Sequence, residues 1–250
     1  MSLPDLALQI IYGRLAWGLV AAAMLLAVLP SILPRLLPAV SPDLTRRSQA
    51  TLVAATLVLV LMLLPGAASP AYWLILVFQY PSGLLLGCSL VSLYARWQDR
   101  AVSFSLPAGI ALPLAVGGLL LYLDAFGVLA LGWYYTGFGA VAAPLLACSA
   151  AAVCVAAIVL GRATGTAAAL LVGTLLFSLL RLPTGNLWDA LLDPLVWAWA
   201  LGSVAVAVAR MAAARKAGPL QPQAEPVPDL DLDLDPELVP AHAANIEQQL

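Results

Sequence analysis

Charge is scarce in this chain. Asp, Glu, Lys and Arg make up 10% of its 250 residues, whereas a soluble domain carries about 25%, so a water-facing surface cannot be built along its whole length. Histidine occurs once, as His242, and lysine once, as Lys216. Paired intramembrane haem ligands, histidine-based metal sites and a Ser-His nucleophile pair are thereby excluded from the apolar part of the chain. A lysine-linked chromophore at mid-bilayer is excluded as well. The three cysteines, Cys88, Cys148 and Cys154, fall in apolar stretches and read as small buried residues rather than as disulfide partners or ligands. Neither a phosphate-binding glycine loop nor a dinucleotide fingerprint is present. The expectation is a protein with no cofactor, no metal and no nucleic-acid partner, and not an enzyme.

Apolar residues are what the chain has in plenty, at 63%. The pattern predicts an all-α membrane protein, a polytopic bundle of about seven transmembrane helices over residues 1–217. The spans are expected near 15–33, 50–64, 72–94, 106–123, 138–160, 166–182 and 195–213. Such lengths suit a hydrocarbon core about 30 Å thick at a rise of 1.5 Å per residue. The residues before Arg14 carry no net positive charge and no small-residue cleavage site follows the first run, so that run reads as retained.

Ten of the eleven basic residues are arginine, which together with abundant Ala and Leu points to a GC-rich bacterial genome and to the cytoplasmic (inner) membrane. With the N-terminus outside, Arg35, Arg46, Arg47, Arg96, Arg100, Arg162, Arg210, Arg215 and Lys216 all fall on the cytoplasmic side. Only Arg14 and Arg181 fall outside, and the positive-inside rule selects that orientation. From residue 218 to 250 the chain is Pro-rich and acidic, with seven acids and no base. A segment so composed cannot bury enough apolar surface to order itself, and a disordered cytoplasmic tail is expected.

Three groups of residues invite functional readings. The 72–94 span is interrupted by Gln79, Tyr80, Pro81 and Ser82. A proline at mid-membrane frees the carbonyl of Val77, which needs a partner that lipid does not supply; Gln79 or Ser82 would provide it. The same polar cluster is a candidate intramembrane site for a small neutral solute, as in transporters with discontinuous helices. Gly83 and Gly87 follow in a small-xxx-small pattern that allows a neighbouring helix to come close. Asp124, Asp189 and Asp193 are placed near the outer surface, where three carboxylates would bind a cation or act as acid and base on a lipid; the plainer reading is that each is an ordinary interfacial residue, Asp193 opening a helix before Pro194. Most Trp and Tyr residues, among them Tyr12, Trp17, Trp133, Tyr134 and Trp188, also gather at the outer ends. They read as an interfacial belt, or as the lining of an outward apolar groove.

No span carries a charge at its middle, which counts against ion-coupled transport. The leading expectation is an accessory or assembly component of a larger membrane system, in contact with membrane lipids and with other membrane-protein subunits. The alternatives are a small-solute permease and a lipid-processing enzyme using the outer carboxylates.

Overall fold

The computed structural model describes residues 4–36, 48–98, 100 and 108–216, and these contain helices and no strands. Arg46, Arg47 and the tail from 218 onward lie outside the described residues. In chain order the helices are α1 (Leu6–Leu36), α2 (Ser48–Met62), α3 (Pro70–Phe78), α4 (Gly83–Trp97) and α5 (Ala108–Ala125). They continue with α6 (Trp133–Thr136), α7 (Ala142–Val159), α8 (Thr164–Leu180), α9 (Leu187–Leu191) and α10 (Pro194–Lys216). Three helical stretches are long and apolar enough to cross a membrane: Leu6–Val28, Ala142–Val159 and Pro194–Arg215. The apolar stretches of α2, α4, α5 and α8 are shorter. Residues Met1–Ala209 form one compact unit; Arg210–Leu250 form a second, of which only the helical residues up to 216 are described.

Helix ends follow local chemistry. The first helix begins at Leu6, well before residue 15, because Asp5 accepts the amide of Leu8 at 2.8 Å and caps it. Ser69 caps α3 through Ala71, with Pro70 at the first helical position, where its missing N–H costs nothing. The expected single helix over 72–94 is instead two helices. Gln79 takes a positive φ of 60° and stops α3, and Ser82 starts α4 by accepting the amide of Leu85 at 3.1 Å. Helix α3 thus ends before Pro81 could disturb Val77. The backbone groups that need outside partners are those of residues 79 to 82.

Helices α4 and α8 run antiparallel and touch at the backbone. A Cβ placed on Gly83 would lie 2.6 Å from the Cα of Gly173, and one on Gly87 would lie 2.7 Å from the Cα of Ala169. In lipid, where apolar side chains gain little from burial as such, this close approach supplies the dispersion contact that holds helices together. Helix α1 is antiparallel to α2, with Gly18 against Leu59, and parallel to α4, with Ala22 and Leu26 near Leu93. Trp17, Val20, Leu84, Leu85, Ala169 and Val196 form one core cluster. A second joins α7, α8 and α9 through Ala143, Ala147, Phe177, Leu187 and Ala190.

Candidate functional site at the helix break

The carboxylate of Asp193 is the centre of the break. It stands immediately before α10, and its Oδ1 accepts the amide of Val196 at 2.7 Å, capping that helix. Its Oδ2 accepts the amide of Ser82 at 2.8 Å across a separation of 111 residues. The N-termini of α4 and α10 therefore converge on one negative charge, and both helix dipoles favour it there. Two donors from α1 complete the arrangement. The Tyr12 hydroxyl donates to the Pro81 carbonyl at 2.8 Å, and the Trp17 indole N–H donates to the Gln79 carbonyl at 2.9 Å. The Tyr80 ring lies over Gly13 and against Tyr12, with centroids 6.3 Å apart.

Of the four residues singled out in the break, Pro81 and Ser82 are fully buried, Tyr80 is half-buried and Gln79 is exposed. Ser82 spends its hydroxyl on its own helix cap. The polar demand of the break is met by backbone groups paired with Asp193, Tyr12 and Trp17. Helix α3 is about 13 Å long at 1.5 Å per residue. Its Ile75 lies against Gly13, and its Phe78 ring lies against that of Trp17 with centroids 6.1 Å apart. The break sits at the level where α10 begins.

The other two carboxylates do separate work. Asp124 ends α5 and gathers its own following loop. Its Oδ1 accepts from Leu131 at 2.7 Å and Gly132 at 2.9 Å, and its Oδ2 accepts from Tyr134 at 2.8 Å. Asp189 lies half-buried on α9 and joins two loops. Thr184 donates to it at 2.6 Å and the Tyr134 hydroxyl reaches both its oxygens at 3.2 Å. Burial pushes the Asp189 carboxyl up, against the lowering effect of the Thr184 and Tyr134 hydrogen bonds. Burial and the nearby Asp189 charge also raise Tyr134.

The loop joint extends on either side of that pair. The Asn186 side chain donates to the Tyr134 carbonyl at 3.3 Å, Leu187 N–H donates to Gly137 at 3.1 Å, and the Trp188 indole donates to Trp133 at 2.9 Å. Among the described residues no three Asp, Glu, His or Cys side chains group as a metal site. Asn186 and Thr184 are the side chains of these joints that sequence reasoning missed, and the hydrogen bonds of Tyr12 and Trp17 were not foreseen. Tyr12 and Trp17 carry the signature of interfacial aromatics, and only the fold shows where their polar ends point. Asn186, three residues before Asp189 and ahead of a short apolar turn, does have the pattern of a helix cap.

In comparisons with family models, curated proteins and solved structures, nothing matches this chain.

Proposed function

We propose that the chain is a seven-span, non-catalytic accessory component of a membrane assembly, with α1, α2, α4, α5, α7, α8 and α10 as its spans. Directions along the contacts support the count. Helices α1 and α4 run parallel, α2 and α8 run against them, and α10 begins at the level where α4 begins. Strict alternation through seven spans demands those directions. The distribution of arginine favours an N-terminus outside and a C-terminus in the cytoplasm, and the Arg, Ala and Leu richness favours a bacterial inner membrane.

The observation that carries the accessory reading is α7. This helix is rich in alanine, yet among the described residues it buries only Ala143, Ala147 and Cys154. Cys148, Ala152 and Ala156, four residues apart and so on one face, remain exposed. A lipid-facing helix has no use for small side chains, whereas a helix that receives another helix does. The partner is accordingly a transmembrane helix of another subunit. Mild extraction followed by native separation tests this. The wild-type chain should migrate well above its own 26.0 kDa, and Ala152→Leu with Ala156→Leu should release it without loss of its own thermal stability. A wild-type chain that purifies alone and carries solute flux in proteoliposomes would establish the permease instead.

A further inference from the structure

The connection from α5 to α7, residues 126–141, has two properties that rarely occur together in a loop. It contains no charged side chain, and most of its backbone N–H groups are satisfied from within. Phe126 donates to Tyr122, Gly127 to Asp124, and Val128 and Leu129 both to Leu123, at 2.9 to 3.0 Å. The Asp124 carboxylate takes the amides of Leu131, Gly132 and Tyr134. Gly137, Phe138 and Gly139 close short turns onto Tyr134, Tyr135 and Thr136. Asp124 itself is only 4% exposed, so its charge faces the loop's own N–H groups.

The side chains are turned the other way. Phe126 is 80% exposed, Val128 69% and Tyr135 64%, and Leu131, Trp133 and Phe138 are about half exposed. Position along the bundle adds a third fact. Gly137 is bonded to Leu187 at the start of α9, and α9 packs beside Gly173, its Ala190 carbonyl lying 3.2 Å from the Cβ position of that glycine. Helix α8 continues to Leu180, seven residues and about 10 Å further at 1.5 Å per residue. The connection therefore lies alongside the last turns of α8 and does not project beyond them.

Irregular backbone is kept out of lipid because its polar groups go unpaired there. In this connection most of the N–H groups are paired, three of them by a carboxylate that serves as an internal pin. We propose that residues 126–141 lie within the bilayer leaflet at that end of the bundle, with Phe126, Val128, Leu131, Trp133, Tyr135 and Phe138 as their lipid contacts. The surface is continuous with the exposed apolar faces of α5 and α7, and the polar ends of Trp and Tyr suit the headgroup boundary. This inference rests on the spanning reading of α5 and α7.

The test is collision accessibility of nitroxide labels. Single cysteines at Phe126 and Val128 are introduced into the full chain with Cys88, Cys148 and Cys154 replaced by alanine, in vesicles of phosphatidylethanolamine and phosphatidylglycerol at three to one. At both sites molecular oxygen should collide several-fold more often than a water-soluble nickel chelate. Nickel collisions dominating would place the loop in water and overturn the proposal. Low accessibility to both would mean that protein covers it, and would overturn it equally. A label at Val153 on α7, itself 68% exposed, separates the two levels of inference. Oxygen-rich collisions at Val153 with nickel-rich ones at Phe126 refute the loop placement alone, whereas nickel at Val153 refutes the spanning reading and this inference with it.

Discussion

Replacing Asp193 by alanine removes the acceptor for two backbone donors at once, and the structure allows the loss to be sized. Losing the cap on α10 costs about 1 kcal/mol, with a range of roughly 0.5–2. The Ser82 amide, in a residue with no exposed surface, is left without its partner at about 1–3 kcal/mol. The sum is about 1.5–5 kcal/mol. Hydrogen bonds measured between membrane helices average nearer 0.6 kcal/mol, because the unfolded chain in lipid also finds partners, which sets a floor of about 1 kcal/mol for the two. Asp193→Ser separates the arms. Serine still caps Val196 but is too short to reach Ser82, so it should recover the cap and leave the cost of the Ser82 amide. Tyr12→Phe, which frees the Pro81 carbonyl in the same break, should couple to Asp193→Ala by about 0.5 kcal/mol or more. Equilibrium unfolding in mixed micelles, followed by tryptophan fluorescence, measures all of these. A loss below about 0.5 kcal/mol for Asp193→Ala, or strict additivity with Tyr12→Phe, would refute the argument that one carboxylate organises the break.

Gly83→Leu drives a side chain into the backbone of Gly173 and should cost at least 2–3 kcal/mol, the upper end of ordinary overpacking; Gly117→Ala, in a helix and facing open space, should be neutral or stabilising by up to about 1 kcal/mol in the same unfolding assay. The joint between the loops should depend on pH through Asp189. Its raised pKa means that the joined state binds the proton more tightly than the open one, so the contribution of Asp189 is complete below the ordinary carboxylate value near 3.9 and fades as pH rises through the raised one. The pH window of this effect opens at the ordinary carboxylate value and closes above the raised one. The hydrogen-exchange protection of the Leu187 amide, corrected for intrinsic rate, should rise on acidification through that window and become flat in Asp189→Asn.

Much of the architecture is legible in the sequence because apolar run length reports it directly. The all-helical class follows from composition, and the ends of α8 and α10 are marked by Arg181 and by Asp193 with Pro194. What is not legible depends on partners far away in the chain. Pro81 announces a disturbance in the 72–94 run, but a kinked span and a complete break between two helices look alike until Asp193, Tyr12 and Trp17 are brought beside it. The same holds for the glycine pair. Gly83 and Gly87 can be read as small residues at helical spacing, but Gly173 and Ala169, which meet them, are set by the register of a helix about 90 residues on. Asp124 is the intermediate case. Its ligands follow within ten residues, and Gly127 and Gly132, both at a φ of 73°, mark a turning loop, yet the number of amides it gathers depends on how that loop closes.

The convergence of helix N-termini on Asp193 also bears on the permease alternative. In transporters built on discontinuous helices, the positive ends of half-helices and the unwound backbone between them are what a solute binds. Here the break supplies both features, since α4 and α10 point their N-termini at one place and residues 79–82 are unwound. That place is filled by the carboxylate of the chain's own Asp193, and the carbonyls of Gln79 and Pro81 are taken by Trp17 and Tyr12. A solute would have to displace a charged side chain that holds two backbone donors, giving up the same few kcal/mol that Asp193→Ala is expected to cost. A covalently attached anion at the convergence point makes the break a fixed joint between α1, α4 and α10. A rigid joint of that kind fits the proposed docking of a partner helix on α7 better than it fits a solute site.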